Sequence, residues 1–238
     1  MSTSIKTATE LVEHSRLKDK MSSTAGPIYD DLRQRILSLD LPPGTHLLRN
    51  QLAAEYRVSQ TPLRDALQRL QRDDLVQILP QSSTSVTRIN IPKIHEAYFL
   101  RVALETEVVR HLASHDASEL VGRARSVIDL QREIAKEPGQ LRLFQEIDEL
   151  FHQMLFESAG HRSLHLLIRS QSGHLDRVRR LQIHSETKIA SILAGHDDIL
   201  KAIETSDEAA AMTALRDHLR KSPQWLDDIR AGHEDYFE

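Results

Sequence analysis

Along most of this chain apolar residues return every third or fourth position, and only one short stretch alternates them with polar ones, so helices dominate the expected fold. Ile28, Leu32 and Ile36 form the first clear stripe, in a helix that carries Pro27 in its first turn, where a missing N–H costs nothing, and stops by Leu39 to Leu41. Pro42-Pro43-Gly44-Thr45 predicts a type II turn: Pro43 presets φ at the second position, and Gly44 supplies the positive φ needed at the third. A short helix follows over Gln51 to Tyr56, and Val58-Ser59 separates it from another that opens at Ser59 or Thr61 with Pro62 in its first turn. There Leu63, Ala66, Leu67 and Leu70 make one apolar stripe at helical spacing, while Gln60, Arg64 and Gln68 stand on another face. The alternating stretch comes next: Val76-Gln77-Ile78-Leu79 and Thr84-Ser85-Val86-Thr87 flank the polar tip Pro80-Gln81-Ser82-Ser83 and read as a hairpin. Three helices and then a hairpin is the order of a winged helix-turn-helix.

After Ile91-Pro92 the pattern is helical throughout, and its periodicity predicts helices at 93–114, 117–135, 139–159, 162–184, 186–204 and 207–221. Cap or turn residues mark the breaks, among them Glu137-Pro138-Gly139, Ala159-Gly160 and Thr205-Ser206-Asp207. Residues 1–26 are polar apart from a short helix near Leu11 to Leu17 and read as a flexible N-terminal tail, with a linker at Ser22-Ser23-Thr24-Ala25-Gly26. Residues 231–238 read as a second tail. The expected fold class is mainly α: an N-terminal winged helix-turn-helix over 27–90, with three helices plus a β-hairpin, and a C-terminal all-α helical bundle of about six helices over 91–230.

Composition narrows the chemistry. The chain has no cysteine, which excludes disulfides and thiolate metal sites and leaves His, Asp or Glu to hold any transition metal. The first residues lack the apolar run of a signal peptide, and no stretch approaches the roughly 18 apolar residues of a membrane span, so a soluble, cytoplasmic protein with no membrane partner is expected. Net charge is −4, with the first ninety residues slightly basic and the rest acidic. That asymmetry is too mild to indicate nucleic acid by itself, and motifs must carry the argument.

Leu41-Pro42-Pro43-Gly44-Thr45, then Leu52-Ala53, then the run from Val58 through Ser59-Gln60-Thr61-Pro62-Leu63-Arg64 to Leu70, closely resemble the DNA-binding domain of GntR-family regulators, over roughly residues 27 to 90. The resemblance implies a recognition helix whose first turn meets base edges in the major groove, where Arg pairs with guanine and Gln with adenine, while N–H groups at the helix start meet phosphate. It places Asn50, Ser59, Gln60, Thr61, Arg64, Gln68, Ser82 and Ser83 toward DNA. Many relatives carry Arg where this chain has Gln60 and Asn50, and Gly in the wing where it has Ser82-Ser83, which implies an operator different from the family's commonest one.

Arg101 with Glu105, Asp148-Glu149-Leu150-Phe151-His152, the run from His196 to Ile203, and Asp217-His218-Leu219 resemble the helical ligand-binding domain of the FadR-type branch, often called the FCD domain; the count of six helices is closer to its VanR-like subgroup. Asp148 and His152 are four apart and share a helix face, and His196 and His218 complete an expected quartet of metal ligands. Three imidazoles and one carboxylate suit zinc first, with nickel or another transition metal as alternatives, and leave positions for water or an effector's carboxylate. Arg101 is similar to the arginine that grips the effector in related domains; the alternative is a simple ion pair with Glu105.

These readings imply a ligand-responsive transcriptional regulator and not an enzyme. It would be a homodimer on double-stranded operator DNA, a repressor of a catabolic operon released by a small organic acid, with residues 91–230 serving effector binding and dimerisation. A junction near Asn90 to Pro92 would carry the signal. Two alternatives stand beside it: a regulator for which the metal itself is the signal, and a metal-dependent hydrolase suggested by the His115-Asp116 and His196-Asp197 dyads.

Overall fold

The computed structural model describes residues 3–17, 25–79, 83–182, 186–220 and 226–238, which pack into two compact units. One holds residues 25–97 (except 80–82), 169–182 and 226–238; the other holds 3–17, 98–168 and 186–220.

In the first unit, α2 (Ala25–Leu37), α3 (Arg49–Glu55) and α4 (Gln60–Arg72) precede β1 (Val76–Ile78) and β2 (Thr84–Val86), the order expected of a winged helix-turn-helix. Val76 pairs with Val86 and Ile78 with Thr84 in an antiparallel ladder. The predicted stripes meet in one core: Ile28, Leu32 and Ile36 of α2 lie against Leu63, Ala66, Leu67 and Leu70 of α4, closed by Leu52, Leu75, Val76 and Val86. Each buried Leu or Ile contributes about 1.5–3 kcal/mol relative to exposure, so the stripe fixes which face of α4 stays outward. Gly44 has φ +84°, and the Thr45 N–H donates to Pro42 O at 3.1 Å, as the turn prediction required.

The second unit is all-helical: α1 (Thr3–Leu17), most of α5 (Ile91–Ala113), α6 (Ser118–Ile134), α7 (Leu141–Ser158), most of α8 (Arg162–Gln171), α10 (Glu186–Glu204) and α11 (Glu208–Arg220). Its core is apolar, with Phe144, Ile147, Phe151, Phe156, Ile199 and Leu215 at its centre.

Three expectations are corrected. Residues 3–17 are not a flexible tail: Ile5, Ala8 and Val12 bury a stripe in the core shared with α6 and α7, and Ser15 Oγ donates to Gln153 Oε1 at 2.9 Å. The helix expected over 162–184 breaks at Ser172, giving α8 and α9 (Gly173–Gln182), so the region from residue 91 to 220 holds seven described helices where six were counted. Just after the break Gly173 packs closely on Leu75: a Cβ there would lie 2.6 Å from Leu75 Cδ2. The C-terminus is ordered too: α12 (Leu226–Gly232) buries Leu226, and Phe237 is buried beside Ile89, which exchanges backbone hydrogen bonds with Tyr236 and Glu238.

The break at Ser172 puts α9 with the winged helix, and a buried polar knot holds it there. Arg177 is fully enclosed and donates to Thr87 O (2.6 Å), Gly173 O (3.2 Å) and His174 Nδ1 (3.0 Å); the Asn90 N–H also donates to His174 Nδ1, at 3.0 Å. Burial first, then the nearby Arg177 and Lys93 charges, push the His174 pKa down to about 3, so the ring is a neutral acceptor. Ile89 and Asn90 thereby pack within the first unit, which in this part of the chain runs to Ala97.

Candidate functional site

Two constellations emerge, one in each unit. On α4, Ser59 occupies the N-cap position with extended backbone and no side-chain capping bond, and Gln60, Thr61, Arg64 and Gln68 are all exposed. Packing of the opposite stripe forces this: with Leu63 and Leu67 fully buried, the 60, 64, 68 face has only solvent to meet. Asn50 on α3 is also exposed, and its Oδ1 accepts from Gln60 Nε2 at 3.2 Å. Ser83 is half-buried, with its carbonyl accepting from the Leu79 N–H at 3.0 Å across the hairpin; Ser82 lies outside the described residues. Arg49, unmarked in the sequence reading, lines one shallow depression with Gln60, Thr61 and Arg64, and its Nε and Nη2 each lie 3.2 Å from Thr84 Oγ1. The signal available for it was a basic residue opening the helix that precedes the recognition helix.

In the helical unit, α7, α10 and α11 bring Asp148, His152, His196 and His218 together, with one ligand atom from each lying within 4.8 Å of all the others. Asp148, His152 and His196 are buried and His218 is half-buried. Nε2 of His152 is 3.3 Å from Nε2 of His218, and Nε2 of His196 is 3.3 Å from Asp148 Oδ1. Ligand bonds of about 2.0–2.1 Å place neighbouring donors roughly 3.0 Å apart in an octahedron and roughly 3.4 Å apart in a tetrahedron, so these two pairs are spaced as neighbouring ligands of a small divalent ion would be. Burial first, then the neighbouring His196 and His152, hold the His218 pKa well below the ordinary histidine range; its ring stays neutral, as a ligand must be.

Two of the three rings have a polar side chain behind them. His152 Nδ1 lies 2.7 Å from Glu105 Oε2, and Glu105 Oε1 accepts from Arg101 Nε at 2.7 Å. Burial would raise the Glu105 pKa, but Arg101 and His152 hold it down at about 2, so this carboxylate is ionised. His196 Nδ1 lies 3.0 Å from Gln131 Oε1, and its ring stacks on Phe151 with centroids 4.1 Å apart. Gly195 makes room for His218: a Cβ at residue 195 would sit 2.4 Å from His218 Nδ1. Gln131 and Gly195 had escaped the sequence reading. Gln131 was detectable as a polar residue in the stripe Ala124, Val127, Ile128, Gln131, all of which are buried.

Arg101 does make the ion pair with Glu105, yet that uses only Nε. Among the described residues neither Nη atom has a hydrogen-bond partner, and the side chain is 6% exposed. Burial opposes its charge, and Glu105, Glu149 and Asp148 more than offset this, so the guanidinium stays protonated. Arg177 is enclosed in the other unit. The hydrolase dyads do not form: Asp197 is exposed and paired with Arg132 at 2.7 Å, while His115 and Asp116 are exposed. No helix among the described residues is long and apolar enough to cross a membrane.

Known proteins carry the same two regions in the same order. The family model described as bacterial regulatory proteins, gntR family, matches residues 24–86, and the FCD domain model matches residues 96–221. The chain is 37% identical over 210 residues to an uncharacterized HTH-type transcriptional regulator in an unstable DNA locus of Streptomyces ambofaciens, covering 88% of each protein. It is 27% identical over 220 residues to the gluconate operon transcriptional repressor of Bacillus licheniformis, covering 90% of this chain and 86% of that protein. Its fold is similar to that of McbR/YncC from E. coli, with a TM-score of 0.74 at 16% identity, covering 90% of this chain and all of that one. With a winged helix-turn-helix whose recognition face is open and an FCD domain behind it, the chain belongs to the GntR family of DNA-binding transcriptional regulators and is a regulator, not an enzyme.

Proposed function

We propose that this regulator is a homodimeric repressor that leaves its operator when a small carboxylate-containing effector binds beside a divalent metal ion held by Asp148, His152, His196 and His218. The observation that carries the reading is Arg101, a buried, charged guanidinium with both Nη atoms open among the described residues, joined through Glu105 to His152. A fork of that geometry grips a carboxylate bidentately. Bound zinc, or nickel in its place, would supply a Lewis-acidic anchor for the same carboxylate. The likeness to a gluconate operon repressor favours repression and makes hydroxy acids the first class to test.

On the DNA side, Gln60 and Arg64 read bases, with Ser59, Thr61, Gln68, Asn50 and the wing residues Ser82 and Ser83 in support, and Arg49 joins them as a phosphate contact. Two recognition helices about one DNA turn apart, roughly 34 Å, suit a palindromic operator. Effector and operator would weaken each other's binding by the same factor.

The test is elemental analysis of the purified protein, followed by thermal shift and operator release with gluconate and other organic acids, with and without chelator. The reading expects bound metal, stabilisation by an acid in the loaded protein, and DNA release by that acid. Release by metal alone would transfer the signal to the metal, and full metal occupancy in His152→Ala would remove the quartet as assigned.

A further inference from the structure

Gln131 is fully buried on α6, and its two amide atoms face different partners. Nε2 donates to the backbone carbonyl of Phe144 at 3.4 Å, and Oε1 lies 3.0 Å from His196 Nδ1. A backbone carbonyl only accepts, so it selects the NH2 end of the amide and turns the oxygen toward His196. That oxygen also only accepts, so Nδ1 must carry the hydrogen. A neutral imidazole has one N–H, which leaves a lone pair on Nε2, the atom 3.3 Å from Asp148 Oδ1. That lone pair and the Asp148 carboxylate can both ligate a cation placed between them.

We infer that Gln131 is a positioning residue for the metal centre: it holds His196 in the Nδ1–H tautomer, so that Nε2 is the ligand atom. The inference rests on the reading of the quartet as a metal site, but the tautomer is observable without any metal. His152 receives the same service from an ionised carboxylate, Glu105, which makes the two rings unequal: one is backed by a charge, the other by a neutral amide. Groups that orient metal-bound imidazoles in this way are worth about 10- to 100-fold in metal affinity.

The experiment has two arms. Nitrogen-detected NMR of the metal-free, full-length protein at mildly alkaline pH should show His196 protonated at Nδ1 alone; protonation at Nε2, or at both nitrogens, overturns the inference. In the second arm, zinc and nickel affinities are measured by chelator competition for the wild type, Gln131→Met and Gln131→Glu. Gln131→Met keeps the length but loses the acceptor and should bind about 10- to 100-fold more weakly, while Gln131→Glu, which retains an acceptor at Oε1, should bind within a few-fold of the wild type or tighter. Equal affinity in Gln131→Met overturns the inference. A wild type that takes up neither ion removes the metal reading instead, and the NMR arm still decides the tautomer. If Gln131→Met does not fold, the NMR arm and Gln131→Glu remain decisive.

Discussion

Substituting Gly195 by alanine should weaken metal binding at the proposed centre without replacing any of its four ligand residues. The added Cβ would lie 2.4 Å from His218 Nδ1, 3.1 Å from its Cγ and 3.2 Å from its Cβ, where ordinary contact begins at 3.4 Å. Turning the His218 ring away relieves the first two clashes; the third needs a shift of only a few tenths of an ångström between α10 and α11. The easiest response is therefore to swing the imidazole out of the quartet. Alanine gains about 0.8–1 kcal/mol in helix propensity, while overpacking costs about 1–3 kcal/mol, so the metal-free fold should change by no more than about 2 kcal/mol. Metal affinity should fall at least as far as when an orienting group is lost, about 10- to 100-fold. With metal at 100 times the wild-type Kd, binding stabilises the wild type by about 2.7 kcal/mol, or roughly 5–10 °C in Tm at 2–4 °C per kcal/mol; a 100-fold weaker site leaves about 0.4 kcal/mol, roughly 1 °C. Differential scanning fluorimetry of metal-free and zinc-loaded proteins reads both quantities. A Gly195→Ala variant whose zinc shift equals that of the wild type would refute the reasoning.

Arg64→Ala should cost about 1–3 kcal/mol of specific operator binding and relax preference at one base position, measured by fluorescence anisotropy on operator variants, whereas Arg49→Ala should weaken all sequences alike and lower the salt slope by about one. His174→Gln should flatten the acid side of the stability profile. The His174 pKa is about 3 in the folded protein against an ordinary 6.5, so its share of stability is complete above pH 6.5 and is lost as pH falls toward 3, at up to about 1.4 kcal/mol per pH unit. Glutamine keeps an acceptor for Asn90 and Arg177 without titrating, and urea unfolding at pH 4.5 and pH 7 should show a smaller difference for the variant. Phe237→Ala, which empties a buried ring site beside Ile89, should destabilise the protein by about 3–5 kcal/mol in the same assay.

Local rules made the winged helix legible. Its turn, caps and stripes act within a few residues, so Gly44, Ser59 and the Leu63 to Leu70 face could be placed from spacing alone. What escaped depended on partners far along the chain. The stripe of α1 is short and includes a small Ala8, and it makes sense only beside α6 and α7; Ser15 bonds a residue 138 positions away. The break at Ser172 was hidden because Leu164, Ile168, Leu175 and Val178 keep helical spacing across it, and the close approach of Gly173 to Leu75 joins residues far apart in the chain. Phe237 read as tail because its partner, Ile89, sits beside the wing.

A resemblance named Asp148, His152, His196 and His218, and the structure brings them together; the acidic surroundings of Arg101 depend on packing between helices and were not legible in the sequence. Around Arg101 stand Glu105, Glu149 and Asp148, three carboxylates against one guanidinium, with His218 held neutral. Acidic side chains thus outnumber the one guanidinium in this neighbourhood, which favours a cation among them. On the proposed function, an ion held at Asp148 and at His152, the ring backed by Glu105, would offset the acidic groups around Arg101 and so favour acceptance of an organic acid there.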